Sequence, residues 1–158
     1  LNGILSEETV IEMPLIPTME EIAQLNSDYE TSSTVDIDLS QMSSTMIFAE
    51  VFNIMMMPDE YVGKTFKIKG NFAVYKSKAS GERYFSIIIP DATQCCQQGI
   101  DFVCRGEMTY PQDYPAIGSE ISLIGKFNSL TTSDGLDFNY LIVEQQAFST
   151  DTNVQSLL

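Results

Sequence analysis

The sequence predicts an all-β protein with a minor helical part, in which five strands form one small barrel preceded by one helix. Three observations support this fold class. The chain has 158 residues, 44% of them hydrophobic, which suits one globular domain. From residue 63 onward, apolar and polar residues alternate in several segments, as in strands with one buried face. Two of these segments repeat the same glycine pattern, which indicates two equivalent strands.

Charge and composition exclude several classes of function. The chain has 8 Lys and Arg against 22 Asp and Glu, so its net charge is -14 and most of its surface repels phosphate backbones. A nucleic acid partner is therefore not expected. The chain has no histidine, which removes every site built on an imidazole base or metal ligand. No catalytic constellation is recognisable, and we predict that the protein is not an enzyme.

Residues 1–34 are predicted to form an acidic, weakly ordered arm. The first 40 residues contain nine acids and no Lys or Arg. A short helix is expected from Thr18 to Leu25, because Thr18 can cap it and Glu21 completes a capping box. The chain begins with Leu1 and not with Met, from which we expect that an upstream segment such as a signal peptide was removed.

The region between the arm and the strands predicts one strand and one helix. Residues 35–39 alternate apolar and acidic side chains, which indicates a strand with one exposed face. A helix is expected at about 45–57, capped by a serine or threonine of residues 43–45 and ended by Pro58. Its apolar residues cover more than one stripe, so we expect it to be largely buried.

Met55, Met56 and Met57 allow two interpretations. Thioethers bind Cu(I), but consecutive residues of a helix cannot converge on one ion. Flexible thioethers also fill irregular gaps in a core, and this interpretation is favoured. The apolar stretch that contains them, residues 46–57, is shorter than the about 20 residues of a membrane helix, so no membrane span is predicted.

Five strands are predicted after residue 63. A turn at Lys78–Gly81 follows the first strand, Pro90 ends the second, and a turn at Thr132–Gly135 separates the last two. The predicted strands are residues 63–74, 84–89, 100–104, 120–128 and 136–144.

The glycine repeat narrows the architecture to one kind of barrel. Residues 62–72 and 117–127 share the frame apolar-Gly-x-x-apolar-x-apolar-x-Gly-x-Phe. Gly70 and Gly125 fall on the alternating positions that are predicted to face the inside of the barrel. A missing side chain at these positions allows a tight bend and a close approach of the backbones. A five-stranded Greek-key barrel whose first and fourth strands are equivalent is the OB-fold, which the repeat therefore predicts.

This fold divides the chain into an arm, a barrel domain and a tail. The OB-like domain is expected at residues 35–148, and residues 149–158 are expected to form a C-terminal tail. Such barrels usually carry a helix between the third and fourth strands. Residues 105–118 contain two prolines and a glycine that oppose a long helix. We therefore expect the helix at 45–57 to close the barrel instead.

Three segments carry a family resemblance. They are Pro58-Asp-Glu-Tyr-Val-Gly-Lys-Thr-Phe-Lys-Ile-Lys-Gly70, Asp91-Ala-Thr-Gln-Cys-Cys-Gln-Gln-Gly-Ile-Asp-Phe-Val103 and Tyr110-Pro-Gln-Asp-Tyr-Pro115. They resemble a family of uncharacterised exported lipoproteins of Gram-positive gut bacteria. More distantly, the glycine-lysine strand and the double cysteine are similar to the soluble domain of permease-associated membrane proteins. The similarity covers about residues 35–145, and its most specific part is Cys-Cys-Gln-Gln-Gly.

The resemblance implies a location but no particular activity. It implies an OB-like barrel that is exported and held on the outer face of the cell membrane, or in the extracellular space. The membrane would be reached only through an N-terminal lipid whose cysteine lies outside this chain. The acidic arm would then act as a spacer.

Cys95, Cys96 and Cys104 leave three interpretations open. As thiolates they would bind Zn or Cu(I), with a nearby carboxylate completing the shell. The candidate carboxylates are Asp91, Asp101 and Glu107. Alternatively, Cys104 forms a disulfide with Cys95 or Cys96, which an exported protein permits. The favoured interpretation is that these are buried free cysteines that pack as small hydrophobic residues.

A basic hairpin and a tyrosine loop are the candidate ligand sites. Six of the eight basic residues lie between Lys64 and Arg83, where they would bind an anionic ligand, an acidic glycan or the acidic arm. The favoured alternative is that the lysines only solvate the outer face. The loop Thr109–Pro115 holds two tyrosines between prolines, suited to stacking on sugars or peptides or to covering the end of the barrel. The candidate ligand-binding residues are Lys67, Lys69, Tyr75, Tyr84, Tyr110 and Tyr114.

The expected function is non-enzymatic binding of an unknown ligand or protein partner at the cell envelope, without a cofactor. The alternative from another class is a metal-handling or redox protein that uses the three cysteines, with Zn or Cu as its cofactor.

Overall fold

The computed structural model describes residues 7–14, 16–28, 34–90, 97–144 and 149–150. The elements in chain order are β1 (Thr9–Ile11), α1 (Met19–Leu25), β2 (Ile37–Asp38), α2 (Ser44–Met56), a short 3-10 helix (Pro58–Glu60), β3 (Thr65–Ser77), β4 (Arg83–Pro90), β5 (Gln97–Cys104), β6 (Glu120–Thr131), β7 (Asp137–Val143) and β8 (Ser149–Thr150). The prediction of an all-β fold with a minor helical part is confirmed. All five strands predicted after residue 63 are present, as β3 to β7.

Five of the strands pair in a closed ring. β3, β4, β5, β7 and β6 are neighbours in that order, and β6 also pairs with β3. The β5–β7 pair is parallel, and the other four pairs of the ring are antiparallel. Because the ring closes, β3 and β6 pair with each other, and β1, β2 and β8 pair with further parts of these two strands.

Side chains alternate between the inside and the outside of the ring, as the period of two predicts. On β3, Phe66, Ile68, Phe72 and Val74 point inward and are buried. The other strands and α2 complete this core, whose further members include Ile87, Ile89, Ile100, Phe102, Ile121, Leu123, Phe127, Leu141 and Val143. One continuous hydrophobic core therefore fills the ring.

Gly70 and Gly125 lie where their strands change partner. β3 pairs with β6 up to Gly70 and with β4 from Asn71 onward. β6 leaves β3 and joins β7 around Gly125. A methyl group on Gly70 would lie 2.7 Å from the carbonyl oxygen of Ile88, so the two backbones approach too closely for any side chain. The two glycines form corners of the ring, as their shared sequence frame predicts.

α2 packs against the ring along a single stripe. It begins after Ser43, whose Oγ accepts a hydrogen bond from the backbone N–H of Met46. Ile47, Val51 and Ile54 are buried in the core, and α2 lies against β4 and β5. This supplies the helical cover that the sequence placed at 45–57.

The expectation that this helix is largely buried is wrong for one face. Met46, Phe52, Met56 and Met57 are exposed, the last two by 65% and 47%. Met55 alone of the three consecutive methionines packs against the core. The ring offers only one side of α2 a surface to cover, and the apolar residues on the other side remain in contact with solvent.

The N-terminal arm contributes more structure than its composition predicts. β1 adds to β3 in parallel, with Thr9 opposite Tyr75. α1 begins at Thr18 with the predicted capping box to Glu21. Its Ile22 is fully buried in a second apolar cluster on the outside of the ring, with Val103, Phe138, Tyr140 and Ile142. The apolar residues of the arm follow no regular spacing in the sequence. They nevertheless pack here, because β5 and β7 expose an apolar outer face.

Asn26 fixes the end of α1 to this outer face. The side chain is buried, and its amide donates hydrogen bonds to the Ile22 carbonyl at 2.7 Å and to the Tyr140 hydroxyl at 3.1 Å. Its Oδ1 accepts a hydrogen bond from the Asn128 side chain at 3.0 Å. A buried amide with all three of these partners holds the helix in one register.

The predicted C-terminal tail begins with a paired segment. Ser149 and Thr150 form β8, opposite Ser122 and Ile121 of β6. None of the helices in the described part of the chain is long and apolar enough to cross a membrane.

We predict that Gly70→Ala destabilises the protein more than Gly125→Ala, and that Gly81→Asn has the smallest effect. The Gly70 methyl would meet backbone at 2.7 Å, whereas the closest contacts at Gly125 are 3.0 Å and Gly81 has open space around it. We expect Gly70→Ala to lower the free energy of unfolding by about 1–3 kcal/mol. Asn tolerates the left-handed backbone of Gly81, so this variant is the control. Urea unfolding measures the order, and equal losses at Gly70 and Gly81 would contradict it.

Candidate functional site

A cleft of about 560 Å³ opens between α1 and the loop that joins β5 to β6. We call it the α1 cleft. Its lining residues are Met19, Glu20 and Ala23 from α1, Glu82 and Phe85 at the start of β4, Val103 and Cys104 at the end of β5, and Gly106, Glu107, Met108, Thr109, Tyr110 and Tyr114 from the loop. Its volume lies within the range of small-molecule sites.

Three aromatic rings form one side of the cleft. The ring centroids of Phe85 and Tyr114 are 4.3 Å apart, and those of Phe85 and Tyr110 are 5.4 Å apart. The ring of Tyr114 also stacks on Phe72 inside the core, at 5.9 Å. The cleft thus has an aromatic wall that is continuous with the interior of the ring of strands.

The loop that carries Tyr110 and Tyr114 is braced by its own hydrogen bonds. The Thr109 N–H donates to Asp113 Oδ2 at 2.7 Å, and the Asp113 N–H donates to the Thr109 carbonyl at 2.8 Å. The Tyr114 N–H donates to the Pro111 carbonyl at 3.2 Å. Both tyrosines are therefore positioned by a closed turn before any ligand arrives.

The charged residues of the lining are all acidic. Glu20, Glu82 and Glu107 carry carboxylates, and no Lys or Arg is among the described residues of the lining. Arg83 stands next to the cleft, but Glu8 of the N-terminal arm binds its Nε at 3.0 Å. Glu8 Oε2 also accepts a hydrogen bond from the Tyr110 hydroxyl at 3.3 Å. At this point the basic hairpin binds the acidic arm of its own chain, one of the alternatives that the sequence left open.

Cys104 lies in the wall of the cleft as a free thiol. Burial raises its pKa to about 12, and a hydrogen bond with Tyr114 only partly offsets this effect. Burial and the neighbouring Cys104 likewise raise the pKa of the Tyr114 hydroxyl. Both groups are neutral at physiological pH, so Cys104 is a poor nucleophile and a poor metal ligand as it stands.

The predicted metal shell is not assembled by the described residues. Cys95, Cys96 and Asp91 lie outside them. Cys104 points into the core, whereas Asp101 lies on the outer face of β5, and Glu107 is in the cleft loop. Among residues 7–14, 16–28, 34–90, 97–144 and 149–150, no group of three or more Cys, Asp or Glu could hold a metal ion.

A second, shallower concavity of about 310 Å³ lies on the outer face of β3, β4 and β5. It is lined by Tyr75, Ser86, Ile88, Gly99 and Asp101. The Ser86 hydroxyl donates a short hydrogen bond to the Asp101 carboxylate. Burial raises the pKa of Asp101 from 3.8 to about 6, and the bond from Ser86 acts in the opposite direction.

The structure separates the predicted ligand-binding residues into different places. Tyr110 and Tyr114 meet in the α1 cleft, and Tyr75 lies in the outer concavity. Tyr84 is only 3% exposed, and its hydroxyl donates to the Pro17 carbonyl, so the arm covers it.

Lys67 and Lys69 lie on the outer side of β3, outside both concavities. Lys67 is opposite Asp38 of β2, and Lys69 is opposite Ser122 of β6. Both side chains are partly exposed. This position suits the favoured interpretation, in which these lysines solvate the outer face.

Sequence reasoning missed the acidic wall of the cleft. No ligand-binding motif marks Glu20 or Glu82. Glu20 lines the cleft because α1 docks on β5 and β7, and Glu82 lines it from the turn that precedes β4. The capping box located α1 but not the surface that it covers. One sequence signal pointed towards contact between the arm and the basic hairpin, namely the acidic composition of the arm and the basic composition of the hairpin.

We predict that Asp101→Asn stabilises the protein at pH 7.5 and has little effect near pH 4. A carboxyl whose pKa is higher in the folded state favours folding while it is protonated, and this contribution is lost as pH rises from about 4 through about 6. The gain at pH 7.5 is expected to be as large as about 3 kcal/mol. The Asn side chain keeps an acceptor for Ser86. Urea unfolding at both pH values measures the difference, with exposed Asp134→Asn as the control.

We predict that the Cys104 thiol reacts slowly in the folded protein. With a pKa of about 12, only about one thiol in ten thousand is ionised at pH 8. The measurement is the rate of reaction with Ellman's reagent, in a Cys95→Ser/Cys96→Ser variant that leaves Cys104 alone. We expect the folded protein to react at least about a hundredfold more slowly than the same variant in urea. Rates within a factor of a few would contradict the protonated thiol.

The sequence matches no protein-family model, and no curated protein matches it at a significant level.

Proposed function

We propose that this protein is a non-enzymatic binding module and that the α1 cleft is its ligand site. The observation that carries the proposal is the cleft itself: about 560 Å³, with an aromatic wall on one side and carboxylates around it. Sites for small ligands are concave, mostly preformed and provided with a few polar groups that orient the ligand. The braced tyrosine loop meets the requirement for a preformed wall.

We further propose that the ring of strands is an OB-type barrel. The neighbour order of its five strands, the parallel β5–β7 pair and the closing β3–β6 pair support this assignment. In OB barrels the second and third strands carry the binding face, and those strands would be β4 and β5 here. Phe85 of β4 and Cys104 of β5 line the α1 cleft, which therefore borders these two strands at one end.

The chemistry of the lining favours binding over catalysis. Among the described lining residues Cys104 is the one thiol, and burial keeps that thiol protonated. The hydroxyl of Tyr114 is neutral for the same reason. The described lining therefore contains no activated nucleophile beside a base, and what remains is shape, aromatic surface and fixed charge.

We place the function at the cell envelope. The resemblance of residues 58–70, 91–103 and 110–115 to exported lipoproteins supports this location. An exported barrel held by a lipid at its N-terminus would face ligands outside the cell, with the acidic arm next to the anchor.

The test is whether small molecules bind in the cleft. A collection of fragments of mixed charge is screened by NMR on the isotope-labelled protein. We expect the fragments that bind to shift the amide signals of residues 103–114. Ala23→Phe, which places a ring in the cleft, should abolish these shifts. Chemically unchanged fragments after long incubation are expected for a binding module.

The control is Gln24→Phe, which adds the same ring to an exposed neighbour on α1. This variant should bind the fragments as the natural sequence does. Fragment binding that Ala23→Phe leaves intact, or an absence of fragments that bind near residues 103–114, would overturn the proposal.

A further inference from the structure

We propose that the α1 cleft selects small organic cations, that is, amines or ammonium compounds with an apolar body. This inference rests on the proposed function, since it names the class of ligand for the same site.

The first argument is the charge of the lining. Glu20, Glu82 and Glu107 approach the cleft from three separate segments, namely α1, the turn before β4 and the loop after β5. No Lys or Arg is part of the described lining. The net charge of -14 adds a negative field over the whole molecule, which raises the local concentration of cations and repels anions.

The second argument is that the mouth of the cleft already holds a cation of the protein itself. The Arg83 guanidinium carbon lies 5.3 Å from the centre of the Tyr110 ring. Glu8 binds the same guanidinium at 3.0 Å and also accepts a hydrogen bond from the Tyr110 hydroxyl. An aromatic face and a carboxylate therefore already act together on a cation here, and the lining of the cleft contains both kinds of group.

The third argument concerns the body of the ligand. Phe85, Val103 and the thioethers of Met19 and Met108 give the cleft an apolar surface that can adapt its shape. The described residues offer no group of three or more ligating side chains for a bare metal ion. An organic cation uses both the apolar wall and the carboxylates, whereas an inorganic ion would use only the carboxylates.

Anionic ligands do not suit this cleft. Lys67 and Lys69, which would attract them, lie outside its lining on the far part of β3. Arg83 and Arg105 adjoin the lining, and each is paired with a carboxylate: Arg83 with Glu8 at 3.0 Å and Arg105 with Glu144 at 2.9 Å. A phosphate or an acidic sugar would meet three carboxylates and two arginines that already pair with carboxylates of the protein.

The experiment uses three probes that share one ring and differ in charge. They are phenethylamine, which is a cation at pH 7, the neutral 2-phenylethanol and the anion phenylacetate. Each is titrated by NMR into the whole protein at millimolar concentrations and low salt. We expect phenethylamine to shift the signals of residues 103–114, with an affinity at least about tenfold higher than that of 2-phenylethanol, and phenylacetate to cause no shift.

Matched variants connect the preference to the carboxylates. Glu20→Gln/Glu107→Gln should weaken phenethylamine binding by about threefold to tenfold and leave the affinity for 2-phenylethanol unchanged. The control Asp134→Asn removes one charge on an exposed turn away from the cleft and should change neither affinity. Raising the salt concentration should weaken the binding of the amine but not that of the alcohol.

The outcomes separate this inference from the proposed function. Equal binding of the amine and the alcohol in the cleft would overturn the selection of cations and leave the binding module intact. Binding of the amine that the double Gln variant does not weaken would overturn the role of the carboxylates and with it the inference. If none of the three probes binds but fragments of another kind do, the inference falls alone. If no fragment binds near residues 103–114, the proposed function falls as well.

Discussion

The close contact of backbones at Gly70 and Gly125 is the constraint on which the rest of the structure depends. At Gly70 a methyl group would lie 2.7 Å from a carbonyl oxygen of the neighbouring strand, and at Gly125 it would lie 3.0 Å from one. At these two points β3 and β6 change partners, which lets five strands pair in a ring instead of in an open sheet. The antiparallel pairing of β4 with β5 brings the start of β4 beside the end of β5, and the loop after β5 lies over this end. The α1 cleft exists only because these segments meet.

The N-terminal arm completes the site although its sequence is mostly acidic and irregular. Ile22 covers the outer face of β5 and β7, and Asn26 anchors the end of α1 to β6 and β7 through hydrogen bonds. The same arm brings Glu8 to Arg83, so this guanidinium beside the cleft is paired with a carboxylate. The arm thus supplies one wall of the cleft and also sets its charge. Nine acids in the first 40 residues repel one another, and contact with the basic hairpin offsets part of that repulsion.

The lining of the α1 cleft contains protonated side chains that pack, and charged and aromatic side chains that can contact a ligand. Burial keeps the Cys104 thiol and the Tyr114 hydroxyl protonated, so both serve as packing groups. The exposed carboxylates of the lining provide a negative electrostatic field, and the rings of Phe85, Tyr110 and Tyr114 provide an aromatic contact surface. Asp101 is separate from this chemistry: it lies in the other concavity on the outer face of β5, whereas Cys104 points into the core.

The sequence by itself determined the five strands, both helices and the inward position of Gly70 and Gly125, because alternation, capping boxes and glycine frames are local patterns. It also located the loop with Tyr110 and Tyr114. The sequence did not predict the exposed face of α2, the strand β1 or the burial of Tyr84. Alternation along a strand or helix gives the direction of a side chain, but it does not show which part of the chain covers that side chain. The acidic wall of the cleft was decided only by tertiary structure. Glu20 and Glu107 are far apart in the chain, and they share a cleft because α1 docks on an apolar face that two other strands create.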